Sequence, residues 1–240
     1  MAAPEPLDHP AVGSQDWRDL LFLHWRVSAE AVQRSLPQGL VVDTFGGDAW
    51  VGIVPFAMAR VRPRFLPPVP WLSWFLELNV RTYVRHADGT PGVLFYSLDC
   101  NQPIAVEIAQ HLFHLPYRHA QMRVHRDAGR LQYWCRRRGQ TAPPWHFDWQ
   151  THSAGVPALH GTLEHFLVER YVLYAADTQR QLYRGYVSHV PYRIHEPVLR
   201  AYDTAPAALA GFPLDGAPHS VLAAAPVTVK IHSLRKISTP

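Results

Sequence analysis

Glu77, Asn79, Arg81 and Tyr83 recur at every second position of the run from Leu76 to Arg85. On a strand this spacing puts a carboxylate, an amide, a guanidinium and a phenol on one face, and Leu78, Val80, Thr82 and Val84 on the other. The run Gly92 to Asp99 alternates similarly, with Phe95, Ser97 and Asp99 against Leu94, Tyr96 and Leu98. Facing water, such a row is ordinary solvated surface. Facing inward, it lines a polar cavity, where the carboxylate and guanidinium have to be paired. In that setting a guanidinium holds a carboxylate or an oxyanion, and a glutamate moves protons.

Three other groupings carry chemical side chains. Leu115-Pro116-Tyr117-Arg118-His119 places a guanidinium beside a phenol, a pair suited to reading a carboxylate or phosphate if it lies in a pocket. Leu163 to Tyr171 holds Glu164, His165, Glu169 and Arg170; on a strand Glu169 and Tyr171 share a face, and Glu169 with Arg170 also reads as a structural salt bridge. Glu107, His111 and His114 stand at i, i+4 and i+7, a pattern able to ligate a transition metal. That triplet is not H-E-x-x-H, and 15 histidines make it easy to meet by chance. It is therefore read as the solvent face of a helix with Ile104, Ile108, Leu112 and Leu115 inside, and no metal is expected. Nucleophile-elbow, P-loop and dinucleotide glycine motifs do not occur.

The elements that would position these groups are mostly strands. Leu20 to Val27 reads as a strand, followed by a short helix capped by Ser28 and stopped by Pro37 and Gly39. Leu40 to Phe45 and Ala49 to Met58 read as a hairpin across Gly46-Gly47-Asp48, and 76–85 with 92–99 as another across Asp88-Gly89. Pro103 opens a helix running to Phe113, and 117–126 with 130–137 form a further hairpin. A helical turn at Thr162 to Phe166, strands from Glu169 to Ala176 and Leu182 to Ile194, a short helix within 198–211 and a last strand at 226–234 complete the pattern. Residues 60 to 75 carry Pro63, Pro67, Pro68 and Pro70, which exclude helix and central strand. Phe65, Trp71, Trp74 and Phe75 make this segment either a lid over a pocket or a plug for one end of the core. The fold class is α+β, mostly antiparallel β, with residues 1–16 a loose arm and 17–240 one domain.

Composition narrows the classes. The 240 residues are 48% hydrophobic and 12% aromatic, enough to build a large core and too much for a disordered chain. No apolar run approaches the roughly 20 residues needed to span a bilayer. Met1 to Pro10 carries Glu5 and Asp8 and lacks the apolar stretch of a signal peptide. Cys100 and Cys135 are too few for a disulfide framework and suit free thiols in the cytoplasm. The net charge of +4 is spread along the chain, which disfavours a nucleic-acid partner. Of 23 Lys and Arg residues only Lys230 and Lys236 are lysines.

The runs Leu21-Phe-Leu-His-Trp-Arg-Val27, Leu36-Pro-Gln-Gly-Leu40, Trp50-Val-Gly-Ile-Val-Pro-Phe56 and Glu77-Leu-Asn-Val-Arg-Thr-Tyr83 resemble the YqjF-like bacterial family of unknown function. Gly92 to Asp99, Leu115 to Arg118 and Glu164 to Tyr171 extend the likeness over about 20 to 235. That family is similar to the acetoacetate decarboxylase superfamily. The resemblance implies a closed, cone-like β-structure with short helices, a central cavity and a possible homo-oligomer. Acetoacetate decarboxylase itself forms a Schiff base on a lysine activated by a neighbouring cation. Its lysine pair directly follows a proline after the helix, where this chain has Tyr117 and Arg118 after Pro116. Neither side chain forms an imine. Lys230 reads as a surface residue of the final strand.

The expectation is therefore a cavity for a small molecule, anionic or carbonyl-containing, with no cofactor. Arg81 and Arg118 would hold its charge, Glu77 would act as acid or base, and Tyr117 would donate a hydrogen bond. Asn79, Tyr83, Ser97, Glu169, Tyr171 and Trp74 would line the ligand. A non-catalytic binding or sensing protein with the same cavity is the alternative.

Overall fold

The computed structural model describes residues 10–238. In chain order the elements are β1 (Ala11–Arg18), β2 (Leu20–Val27), α1 (Ala29–Ser35), β3 (Leu40–Val42), β4 (Ala49–Pro63), β5 (Phe75–His86), β6 (Pro91–Cys100), α2 (Pro103–Phe113), β7 (Tyr117–Asp127), β8 (Arg130–Arg137) and β9 (Trp145–Gln150). There follow β10 (Val156–Pro157), α3 (Leu163–Val168), β11 (Val172–Ala176), β12 (Leu182–Ser188), β13 (Arg193–His195), β14 (Val198–Ala201), α4 (Ala205–Leu209), β15 (Ser220–Ala224), β16 (Val227–His232) and β17 (Arg235–Lys236).

Local chemistry accounts for several of these. The Ser28 hydroxyl accepts from the Ala31 amide and caps α1, with Glu30 in the first turn and Val32 buried. Pro103 occupies the start of α2, the Gln102 side chain accepts from the Ile104 amide, and His114 in the left-handed region closes the helix. Thr162 caps α3 through the His165 amide. The hairpins β5–β6 and β7–β8 stand where Asp-Gly and Asp-Ala-Gly place them.

Pairing is mixed, antiparallel except for β6 with β7 and β6 with β11. It also returns on itself: β1 pairs β4, β4 pairs β5, β5 pairs β6, β6 pairs β11, β11 pairs β12, β12 pairs β16, and β16 pairs β1. Inside this circuit lies one core, including Phe22, Val54, Phe56, Leu98, Tyr192 and Val229. A second core forms on the opposite face of β2, β4 and β5, where Leu23, Ile53, Leu78 and Val80 meet Tyr133, Phe147 and Trp149 of β8 and β9. β5 is therefore covered on both sides, with Glu77, Asn79 and Tyr83 buried and Arg81 half-buried.

Several expectations need correction. Residues 11–16 belong to β1, paired on both edges, because the alternating Val-Gly-Ser-Gln-Asp-Trp run fits between β4 and β16; residues 1–9 lie outside the described residues. β3 pairs β5 rather than β4, and only the bridge Phe45–Asp48 remains of the expected hairpin. The strand expected from Glu169 starts at Val172, and the one expected from Leu182 to Ile194 breaks after Ser188. α2 buries Val106 and Ala109, while Ile104 and Ile108 are exposed; the Leu112 side chain lies outside the described residues. The loop 64–74 presents Phe65 at 87% and Trp71 at 67% exposure, so these two rings neither plug the core nor cover the interior.

Candidate functional site

The polar row of β5 faces the interior of the strand circuit. Register fixes this: cross-strand partners share a face, and Asn79 pairs Val54 and Leu98, both core residues inside the circuit. Glu77, Asn79 and Tyr83 are 2%, 5% and 0% exposed.

Glu77 occupies one end of the row. The Tyr117 hydroxyl donates to its Oε2 at 2.7 Å, and both side chains are buried. Burial raises the Glu77 pKa to about 8, with nearby Asp99 adding to the shift and the Tyr117 hydrogen bond opposing it. Tyr117 is in turn held well above the ordinary phenol range by burial and the neighbouring carboxylate. At neutral pH the site thus contains a protonated carboxyl beside a phenol, a combination able to give or take a proton.

Arg81 lies four residues further along the strand. Its Nη2 donates to the Leu167 carbonyl at 3.0 Å and to the Tyr83 hydroxyl at 3.3 Å, and its guanidinium lies over the Phe22 ring. Among the described residues no carboxylate lies within ion-pair distance of Arg81, and its buried Nε–H has no partner. The expected pairing of Glu77 with Arg81 is therefore replaced by two separate stations, with Asn79 between them and its Oδ1 also buried without a partner. Ion pairing is spent elsewhere: Asp43 bridges Arg85 and Arg170, and buried Asp99 holds Arg137 through two hydrogen bonds.

Glu169 and Tyr171 also come together, although in the connection between α3 and β11. The Tyr171 hydroxyl donates to Glu169 Oε2, and the Tyr192 amide donates to Oε1 at 2.9 Å. Arg170 turns to Asp43, so the Glu169–Arg170 bridge does not form. Tyr192 stacks on Trp17 and meets Phe22 edge-on, which joins this pair to the interior core.

Other expected residues are placed differently. Arg118 is exposed, because alternation at the start of β7 sends Tyr117 inward and its neighbour outward. Ser97 is buried but pairs Val80, so it lies on the opposite face from Asn79; a register shift between Val80 and Arg81 separates it from Phe95. Trp74 is 45% exposed at the end of the loop. Glu107 meets both His111 and His119, but the His114 ring lies against Tyr183, so the triplet does not converge. Lys230 pairs Ser14 on the face opposite Val229 and is exposed.

One interior residue escaped the sequence reading. His24 on β2 is 0% exposed, with Nε2 at 2.7 Å from the Tyr83 hydroxyl. A single histidine in the apolar run Leu20 to Trp25, on the face of Leu20 and Phe22, was the available signal.

A mostly-strand α+β chain with four short helices among the described residues and a polar row turned inward defines an acetoacetate decarboxylase-like fold. Solved structures agree. Acetoacetate decarboxylase from Legionella pneumophila matches with a TM-score of 0.65 and 13% identity over 99% of this chain and 92% of that one. An acetoacetate decarboxylase-like enzyme from Sphingomonas wittichii RW1 gives 0.64 and 15% over 99% and 97%. The enduracididine biosynthesis enzyme MppR complexed with pyruvate gives 0.63 and 16% over 98% and 93%. The chain belongs to the DUF2071 family of uncharacterized conserved proteins, whose model matches residues 14–228. Uncharacterized protein YqjF of Bacillus subtilis (strain 168) is 36% identical over 178 residues, 74% of this chain and 73% of the relative. No helix among the described residues is long and apolar enough to cross a membrane.

Proposed function

We propose that the interior binds a small anionic or carbonyl-containing molecule and performs acid/base chemistry on it, of lyase or isomerase type, without a covalent imine. Arg81 carries this reading. A half-buried guanidinium with no carboxylate in ion-pair distance among the described residues and an unused Nε–H is suited to hold an anionic oxygen. Glu77, protonated at neutral pH and bonded to Tyr117, would supply or remove the proton, and Asn79, Glu169 and Tyr171 would contact the ligand. Glu77 and Arg81 are four residues apart on one strand, roughly 13 Å between Cα atoms, so a ligand anchored on Arg81 reaches toward Glu77 past Asn79.

The imine route lacks its amine. The position after Pro116 is a tyrosine, and the exposed Lys230 faces away from the interior. Proton transfer next to a carbonyl, as in enolisation or dehydration, needs only the groups present. We assign the protein to the cytoplasm, supported by two buried free thiols. The same interior without turnover would make a sensor or carrier; the raised pKa of Glu77 is what favours catalysis.

The test uses pyruvate in D2O with the full chain, following loss of the methyl proton signal by NMR. Exchange faster than buffer that falls 10²- to 10⁴-fold in Glu77→Gln, as expected for loss of an acid/base group, supports catalysis. Arg81-dependent binding without exchange selects the sensor reading. Absence of both for pyruvate and for any molecule found by native mass spectrometry of the purified protein refutes the proposal.

A further inference from the structure

Phe65, Leu66, Val69, Trp71 and Trp74 are all exposed, and all lie on the loop between β4 and β5. Single apolar residues on a surface are ordinary, but a cluster of this size marks a contact site. The loop is also fixed in place. Phe65 and Trp71 sit in the left-handed region, at φ 69° and 59°, which bulky residues rarely adopt. Hydrogen bonds hold that backbone. The Arg64 amide donates to the Val12 carbonyl, the Val69 amide to Ser73 Oγ and Gln102 Nε2 to the Trp71 carbonyl, each at 2.8 Å. The last bond ties the loop to the start of α2, where Ile104 and Ile108 are exposed as well. The rings are thus presented outward before any partner arrives, which lowers the ordering cost of binding.

Charge indicates what meets them. Arg60, Arg62 and Arg64 are exposed where β4 runs into the loop. Arg60 pairs Asp16 at 2.6 Å, whereas Arg62 donates to Ser14 Oγ and Arg64 lies over the Phe65 ring. Among the described residues neither Arg62 nor Arg64 has a carboxylate within ion-pair distance. Glu107, exposed on α2 beside Ile108, already meets His111 and His119. We propose that this loop docks the protein on an anionic lipid bilayer. Phe65, Leu66 and Trp71 enter the acyl region, and Arg62 and Arg64 meet the lipid headgroups. A deformable lipid phase accepts a ring that stands 87% exposed, while a protein partner has to supply a matching hollow. Pairing the patch with a second copy would bring Arg62 and Arg64 of both chains to one contact, like charge against like charge. The contact is peripheral: the chain lies on the bilayer and does not span it.

Flotation of the full chain with vesicles tests this, comparing phosphatidylcholine alone with phosphatidylcholine containing phosphatidylserine. Phosphatidylserine is expected to raise binding at least about tenfold, and salt at about 0.5 M to reverse most of that gain. Phe65→Ser and Trp71→Ser should each weaken binding at least about tenfold, the return of one ring to water. Arg62→Gln together with Arg64→Gln should weaken binding to the anionic vesicles about tenfold and leave phosphatidylcholine unaffected. No binding to the phosphatidylserine vesicles, equal binding to both lipids, or binding indifferent to Phe65 and Trp71 overturns the proposal. A dimer in sedimentation equilibrium that Phe65→Ser dissociates makes the patch a self-interface and overturns the lipid assignment. Should a variant not fold, the wild type decides. Of the eight tryptophans Trp71 and Trp74 are the exposed ones, so brominated acyl chains should quench tryptophan emission. Vesicle binding without quenching overturns the insertion.

Discussion

The Tyr117 hydroxyl donates a 2.7 Å hydrogen bond to Glu77 across the interior, from the position that directly follows Pro116. The neighbouring guanidinium of Arg118 faces solvent. The chain therefore presents a phenol and a carboxyl to its interior at this turn.

The first prediction concerns pH. Glu77 titrates at about 8 when folded and near the ordinary carboxylate value when unfolded. The folded state binds the extra proton between those values, so stability is fully present below the unfolded pKa and is lost as pH rises toward 8. Glu77→Gln should flatten that decline, which is expected to amount to a few kcal/mol over the window. Urea melts of both proteins from pH 4 to 9 measure it; parallel profiles would refute the buried acid.

Removing the phenol should move Glu77 further. The Tyr117 hydrogen bond favours the charged carboxylate, so Tyr117→Phe is expected to raise the Glu77 pKa above about 8. Titration of the Glu77 side-chain carbon by NMR reads this directly, and a downward shift contradicts the assigned geometry.

The Asp99–Arg137 pair is structural. Asp99 is 0% exposed and holds Arg137 at 2.7 and 2.8 Å. Arg137→Leu leaves a buried carboxylate alone and should cost about 3–5 kcal/mol, with Asp99→Leu in the same chain recovering most of it. Denaturation midpoints of the single and double variants test the coupling.

Borohydride reduction in the presence of pyruvate should leave the mass of the intact chain unchanged, because Lys230 is exposed on the outer face of β16. A reduced adduct on Lys230 located by peptide mapping would falsify the non-covalent mechanism.

Phe65 and Trp71 stand largely in solvent on the proline-rich loop. Phe65→Ser and Trp71→Ser should each change stability by less than about 0.5 kcal/mol. A loss of about 3–5 kcal/mol in thermal or urea melts would show instead that these rings fill the core.

Much of this molecule is local in origin. Alternation along Leu76 to Arg85 puts Glu77, Asn79, Arg81 and Tyr83 on one face because successive side chains on a strand must point to opposite sides. Ser28, Pro103 and Asp88-Gly89 set helix starts and a turn through their own backbone and hydrogen-bonding chemistry. The absence of an imine-forming lysine after Pro116 was equally plain from residue identity. Tertiary structure decided the rest. It chose which face of β5 looks inward, since both faces are buried and only the circuit through β11, β12, β16 and β1 separates inside from outside. It set Asn79 against Leu98, which leaves Ser97 on the far face, and turned Arg118 outward. Above all it brought His24 to Tyr83 and Arg81, residues 59 and 57 positions away in the chain, because β2 and β5 both pair with β4 and meet over Gly52. Contacts at such separations arise from strand pairing across the sheet, which no local pattern of side chains encodes.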